Sequence, residues 1–395
     1  MRKPERFDVV VAGGGLVGAA FAAGLGRTTL ALALIESGGP QPAPQSDEDW
    51  DTRIYAVSPA SAQFLSALGA WDAIDKRRLT PIRRMQVFGD DGSANIVFDA
   101  LATGVPELAW IVEGRVLHAA LWRLLQRQNN LRLLCPARCA ALAFDDGLAR
   151  ITLDGGEHVS ASLVVGADGA HSWLREAAGF AADDKPYGQL GVVANFTTER
   201  EHAGTAYQWF RPEGTLAYLP LPGRRISIVW SAHDAYAKEL LALPAAELSR
   251  RVAEAGHNIL GALQLITPAQ GFPLRLLTVT QTIAPAVALI GDAAHVVHPL
   301  AGQGVNLGFA DAQALAATLA AREPFRACGD RRLLRRYERG RREQHFTLQY
   351  VTDGLHRLFS SESPMLRQAR NRGLELADAL PVLKNLLARR ALGSF

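Results

Sequence analysis

The chain has 395 residues, 48% of them hydrophobic and 21% charged, with a formal net charge of +3. That length accommodates two domains with cores of their own, and a charge this small, with no basic run interleaved with aromatics, excludes nucleic-acid binding. Three cysteines, an odd number, exclude a full disulfide framework; Cys135 and Cys139 lack further ligands at metal spacing, so buried thiols in a cytoplasmic protein are expected and no metal is.

The first residues could pass for a targeting segment, because "MRKPER" precedes eighteen uncharged residues, "VVVAGGGLVGAAFAAGLG". Glu5 and Asp8 break the basic region, however, and the glycines would weaken a membrane helix. A strand, a turn and a helix account for the same residues better. Val9–Ala12 reads as a buried parallel strand, followed by Gly13, Gly15 and Gly18 in the spacing G-x-G-x-x-G and an alanine-rich helix. Gly13 permits the tight turn, Gly15 lets the backbone approach a pyrophosphate, and Gly18 lets the helix lie close on the sheet. The helix mouth at Leu16 and Val17 then faces the phosphates with unsatisfied N–H groups. The next strand, "ALALIE", ends at Glu36, eighteen residues past Gly18, where a carboxylate would accept from a ribose hydroxyl, with Ser37 beside it. The motif by itself does not separate NAD from FAD.

"SGGPQPAPQSDEDWD" is a polar, proline-rich loop without an assigned role, and residues 83–99 read as an extended hairpin. Residues 108–180 return to strands and helices and end in "LVVGADGAHSWLRE", with Gly166, Asp168, Gly169, Ser172 and Arg175. Taken alone, Asp168 and Gly169 are a turn former and helix cap. From Tyr187 to Ala232, alternating segments with glycine and proline breaks read as antiparallel sheet. Its aromatics, Tyr207, Trp209, Phe210, Tyr218 and Trp230, are either core or a substrate wall. Alternation puts Tyr207 and Trp209 on one face and Phe210 on the other, without saying which face meets a ligand.

A third signature follows, "AVALIGDAAHVVHPLAGQGVNLGFADAQALAATLAA": a strand ending in Gly291–Asp292, a loop, and a helix from about Gly302. Asp292 at such a strand end can reach a ribityl hydroxyl. Gly302, Gln303, Gly304, Val305 and Asn306 present backbone N–H groups to an electron-rich ring edge. Side chains there would hold an isoalloxazine off the helix mouth, whereas glycines admit it.

In order and content these three segments resemble the single-component flavin aromatic hydroxylases. Within that group "HPLAGQGVNLGFAD" is similar to the signature of the ubiquinone-biosynthesis FAD-dependent hydroxylases, and "DTRIYAVSPASAQFLSALGAW", "AYQWFRPEGTLAYLPLPG" and "GLELADALPVLKNLLARRALG" agree. One departure is Gly114 in "WIVEGRVLHAALW", where relatives often carry Asn or Arg; His295 receives no role. The resemblance implies an α/β, p-hydroxybenzoate-hydroxylase-like fold: a Rossmann-like FAD-binding domain (1–75, 100–182 and 276–328), an inserted antiparallel-sheet substrate domain (76–99 and 183–275) and a C-terminal helical region (329–395).

It also implies residue roles. Gly13, Gly15 and Gly18 turn the chain at the FAD pyrophosphate and Glu36 holds the adenosine ribose. Arg53, of D-x-R, reaches the phosphates or the flavin side of the active site, and Arg115 joins the cofactor contacts. Asp168 lies near the pyrophosphate, Asp292 holds the ribityl chain, and Pro299 and Gly302 to Asn306 line the ring, with Pro299 on the side where oxygen reacts. His298 is the nearest candidate for the phenol proton, a structural role at the helix entrance being the alternative. The implied activity is hydroxylation of a polyprenylated phenol in ubiquinone biosynthesis with O2 activated at the flavin C4a position and NAD(P)H as reductant. A hydroxylase of a small soluble aromatic and a flavin-binding scaffold that has lost catalysis are the alternatives. A single G-x-G-x-x-G and no C-x-x-C argue against two-dinucleotide-domain reductases. The expected location is cytoplasmic or peripheral to a membrane, with other ubiquinone-biosynthesis proteins and a second copy of the chain as open partnerships. The tail "ALPVLKNLLARRALGSF" sets Leu380, Val382 or Leu383, Leu386, Leu387 and Leu392 at helical spacing beside Lys384, Arg389 and Arg390. It reads as a helix packed on the body or one that docks on membrane or partner.

Overall fold

The computed structural model describes residues 5–89, 95–298 and 302–360. Its first strand, Glu5–Ala12, begins four residues before the expected Val9 and runs parallel to Leu32–Ile35 on one side and His158–Gly166 on the other. Leu131–Leu134 and Val287–Leu289 extend the parallel set outward, and the hairpin Cys139–Asp145 with Leu148–Leu153 joins antiparallel to His158–Gly166. A parallel sheet is covered on both faces, which is why Val9, Val10 and Val11 are all fully buried rather than alternating. The helices Leu16–Gly24, Gly114–Leu125 and Gly304–Ala320 cover one face, where Phe21, Leu121 and Phe309 meet Val9, Val11 and Leu163. On the other, Val10 and Val164 pack with Ile151 and Leu174.

The long strand Ala182–Thr198 is the spine of a second sheet, antiparallel to Arg225–His233 and to Gln270–Val279. Gly214–Leu221 and Thr205–Arg211 continue it, and the expected hairpin appears as Arg84–Phe88 with Asn95–Asp99 at its edge. Helices Asp234–Ala242 and Ala245–Ala255 cover the face carrying Trp209, Tyr218 and Trp230, so these aromatics are core. Phe210, on the opposite face as alternation predicted, packs with Val87 and Ile96. A small sheet of Ile54–Val57, Thr80–Ile82 and Ala109–Glu113 completes the strands used below.

His295–Val296, just past the Gly291–Asp292 turn, pairs with Leu277 and Thr278 and so brings the third signature to the edge of the second sheet. The third-signature helix begins at Gly304 rather than Gly302, because Gly302 is left-handed (φ +60) and Gln303 is the N-cap. Arg331–Ser360 is one long helix, and Leu333, Leu334 and Tyr337 from its first turns join the parallel-sheet core. Pro299 and the tail from Leu380 lie outside the described residues. Among those residues no helix is long and apolar enough to cross a membrane.

Candidate active site

A cavity of about 860 Å³ receives residues from both large sheets and from the small one. Gly15, Leu16, Val17 and Glu36 reach it from the first signature, and Asp292 with Gly302 to Asn306 from the third. Arg53 lines it as well, its guanidinium over the Phe272 ring at 5.4 Å.

The first turn is held from three directions. Gly14 N–H donates to Glu36 Oε2 at 2.6 Å, while its carbonyl accepts from Trp122 Nε1 at 2.8 Å and lies 3.0 Å from His118 Nε2. Glu36 also accepts from Gly38 N–H at 2.9 Å. The strand-end carboxylate therefore braces the turn while still facing the cavity. His118, which the sequence reading missed, lines the same cavity, and burial lowers its pKa, favouring the neutral ring. Nothing but helical spacing marked it.

The glycines divide into two kinds. A Cβ on Gly13 (φ +102) would stand 2.4 Å from the Ala167 carbonyl, and one on Gly18 would stand 2.0 Å from that of Gly13. These two are closed by packing. A Cβ on Gly15 or Gly304 would meet nothing within 4 Å.

At the third signature, Asp292 opens into the cavity but is otherwise ringed by protein, and this burial raises its pKa. Gly291 lies against Val17, as does Gly308 from the helix behind. Asn306 is buried and latches the helix mouth to the small sheet: its Oδ1 accepts from Ser58 N–H and its Nδ2 donates to the Ala56 carbonyl, both at 2.9 Å. Behind the turn lies a charged cluster that sequence reasoning did not find. Asp311, fully buried, accepts from Gly291 N–H at 3.1 Å and from Arg341 Nε at 2.7 Å, and sits 2.6 Å from both His295 Nε2 and His345 Nε2. Burial pushes the Asp311 carboxyl up, but the two histidines outweigh it and hold the group well below the usual range. The His–Asp–His atoms are close enough to hold a metal ion. Both carboxylate oxygens are already taken by N–H donors, one of them a guanidinium, so the arrangement serves as an ion-pair network.

Four further candidates do not reach the cavity. Arg115, expected among the cofactor contacts, pairs with Asp49 at 2.6 Å and lies 3.8 Å from Glu113. The fully buried Glu113 needs cationic partners and takes Arg78 at 3.0 Å as well. Gly114 itself lines the cavity by its backbone, and a Cβ there would come within 3.0 Å of Tyr55. Ser37 Oγ turns to Glu36 at 3.3 Å. Asp168 caps the short helix Trp173–Ala177 by accepting from Leu174 N–H at 3.0 Å, Ser172 caps it through Arg175 N–H at 3.0 Å, and only the neighbouring Ala167 and Gly169 line the cavity. His298 is buried, with Nε2 3.2 Å from Gln189 Oε1 and its ring edge-on to Tyr187.

The remaining wall is the face of the second sheet opposite the tryptophans, formed by Ala206, Gln208, Ala217 and Val229 with Met85 and Phe98 at one end. Small side chains in mid-sheet leave room there.

These residues fit FAD. The helices Leu16–Gly24 and Gly304–Ala320 both begin without a side-chain cap, so their first N–H groups are available to anions. The open Cβ directions at Gly15 and Gly304 keep both mouths clear. Carboxylates at Glu36 and Asp292 supply acceptors for sugar hydroxyls on the same cavity.

Comparison with known proteins gives a consistent result. The model of the FAD binding domain family matches residues 6–348. The 3-demethoxyubiquinol 3-hydroxylase of Escherichia coli is 38% identical over 389 residues, covering 98% of each chain. Ubiquinone hydroxylase UbiL of Rhodospirillum rubrum is 37% identical, covering 98% of this chain and 90% of that one. The human mitochondrial ubiquinone biosynthesis monooxygenase COQ6 is 34% identical over 96% and 91%. Among solved structures, the probable FAD-dependent monooxygenase PqsL of Pseudomonas aeruginosa superposes with a TM-score of 0.78 at 24% identity, covering 94% of this chain and 99% of that one. The p-nitrophenol 4-monooxygenase PnpA of Pseudomonas putida gives 0.78 at 20%, covering 98% of each. At those identities the structural likeness establishes the shared fold.

Proposed function

The chain belongs to the FAD binding domain family and, within it, to the ubiquinone-biosynthesis hydroxylases, and we propose that it hydroxylates the aromatic ring of a polyprenylated phenol with bound FAD. The observation that carries this reading is one cavity in which helix mouths that fit FAD face a largely apolar sheet wall. A flavin ring and an aromatic ring would share a single water-poor space there.

Bound FAD supplies the activation of dioxygen for transfer of one oxygen atom to the ring. In this proposal the protein's residues do the positioning. Backbone N–H groups at Gly15, Leu16 and Val17 hold the pyrophosphate, Glu36 meets the ribose, and Asp292 meets the ribityl hydroxyls. The mouth of the Gly304–Ala320 helix would help hold the ring and would favour negative charge on it. Arg53 supplies positive charge at the cavity wall. Ala206, Ala217 and Val229 keep water from the reacting face. His298 is itself tied to the second sheet through Gln189. The domain division follows the same lines: the parallel sheet with its helices binds the cofactor and the antiparallel sheet meets the substrate.

NAD(P)H is the proposed reductant. The sequence carries one G-x-G-x-x-G, so the nicotinamide would visit the cavity without a domain of its own. Each buried CH₂ of a prenyl tail favours the bilayer by about 0.8 kcal/mol, so the substrate is met at a membrane surface or on a partner protein.

The test is turnover by the purified yellow protein with NADH or NADPH, O2 and phenols that differ in the prenyl group. The expected result is reductant consumption coupled to a product heavier by one oxygen, with the prenylated phenol strongly preferred. Equal efficiency on an unprenylated phenol would favour a small soluble substrate. FAD binding without turnover of either would favour a scaffold.

A further inference from the structure

Gln208 sits at the middle of the cavity's sheet wall. Its side chain faces the same way as that of Ala206, and its neighbour across the strand is Ala217, which pairs in turn with Val229. One rung along, Thr215 pairs with Ser231, and both also line the cavity. Around them the wall is apolar, with Met85 and Leu219 completing it. Gln208 is only 7% exposed and Ser231 4%. Neither the Gln208 amide nor the Ser231 hydroxyl takes a hydrogen-bond partner among the described residues.

The Gln208 amide opens on the cavity and not on protein, so a ligand that displaces water there would leave it unpaired, at a cost, unless that ligand bonds to it. The amide's neighbours on the sheet cannot satisfy it, because Ala206, Ala217 and Val229 carry no polar side-chain atom. The partner must therefore come from within the cavity. The cofactor-fitting groups, the two helix mouths and the carboxylates of Glu36 and Asp292, belong to other elements, so the amide faces the part of the cavity left to the second reactant. A primary amide offers both a donor and an acceptor. Its complement is an oxygen substituent on an otherwise apolar ring: a phenol hydroxyl, which can use either, or an ether or carbonyl oxygen, which accepts.

We propose that Gln208 is the specificity-determining residue that orients the aromatic substrate by hydrogen bonding a ring oxygen, with Ser231 and Thr215 as the adjoining polar rung. This rests on the hydroxylase reading above. It makes the ring position presented to the flavin depend on where the oxygen substituent lies relative to Gln208.

The experiment uses the FAD-loaded protein and two probes, a phenol carrying one isoprene unit and the corresponding prenylbenzene without the hydroxyl, with binding read from the absorbance of bound flavin. Wild type should favour the phenol by about tenfold, the scale of one buried hydrogen bond. Gln208→Met, which conserves length, should abolish that preference by weakening the phenol alone, with FAD content and Tm unchanged. Gln208→Asn retracts the amide by one methylene and should weaken the phenol while preserving the fold. Retention of the preference in both variants overturns the proposal, as does loss of FAD in parallel with the phenol or equal binding of the two probes by wild type. A wild-type protein that binds neither probe overturns the aromatic-hydroxylase reading itself.

Discussion

The two walls of the cavity are made of different parts of the chain. On the cofactor side much of the surface is backbone, at two helix mouths and a left-handed glycine at 302, with Glu36, Arg53, His118 and Asp292 among the side chains that join it. On the sheet side the surface is side chain, and its backbone is consumed by the ladder from Thr205 to His233. A backbone wall depends on the absence of Cβ atoms at fixed places, so it can fail through a single methyl group. A side-chain wall depends on volume and polarity, so it changes what binds before it changes whether the chain folds. The cofactor wall itself contains both kinds of glycine. Gly13 and Gly18 are closed against carbonyl groups, and Gly15 and Gly304 are open.

The sharpest break of this contrast is Gly18→Val beside Gly15→Val. At 2.0 Å from the Gly13 carbonyl, the first cannot be accommodated without moving the helix off the sheet. It should exceed the few kcal/mol of margin a domain has and leave the protein insoluble. Gly15→Val should fold with an unchanged apo Tm and bind no FAD. Two soluble variants of equal Tm would erase the distinction.

Next comes the support behind the backbone wall. Asp311→Ala leaves Arg341 buried without its counter-charge and should destabilise by about 3–5 kcal/mol in urea unfolding. A loss below about 1 kcal/mol would mean that the cluster is dispensable. Gly304→Val should leave apo stability intact while weakening FAD by about 10- to 100-fold, from an overpacking cost of about 1–3 kcal/mol; flavin fluorescence titration measures it. The matched change on the other wall, Ala217→Leu, should spare FAD and raise the substrate KM by about tenfold. If it strips FAD, the walls are not separate.

The smallest effect is a pH dependence. Burial lowers the His345 pKa below its ordinary 6.5. The unfolded chain therefore takes up that proton first, and the associated stability is complete above pH 6.5 and lost as pH falls toward the folded value. Asp311, also held low, loses its contribution only below about 3.8. His345→Gln should remove the first phase of acid destabilisation and leave the second, as read from urea unfolding at stepped pH between 8 and 3. An unchanged profile would assign the first phase to another group.

The parts of this protein that its sequence determined are those governed by local sterics. Gly13, Gly15 and Gly18, the carboxylate at Glu36, the Gly291–Asp292 turn and the run into Gly304 each need a particular residue at a particular spacing, because the backbone there turns, nears a carbonyl or stays clear. The alternation of the second sheet was legible for the same reason, down to Trp209 and Phe210 on opposite faces. Which face met the cavity was not, since a period of two is the same on either side, and only helices 234–242 and 245–255 covering the tryptophans decided it. Partner choice was likewise tertiary. Arg115 carried a cofactor expectation from its position in a motif, but the buried Glu113 and the loop at Asp49 claim it. Asp168, by contrast, takes the helix-cap bond that its local sequence had suggested. His295, assigned no role, meets His345 on Asp311 across 34 residues of chain between the carboxylate and the second histidine. A charged or polar side chain goes to whichever partner the fold leaves within reach and away from water, and no spacing along the chain records that distance.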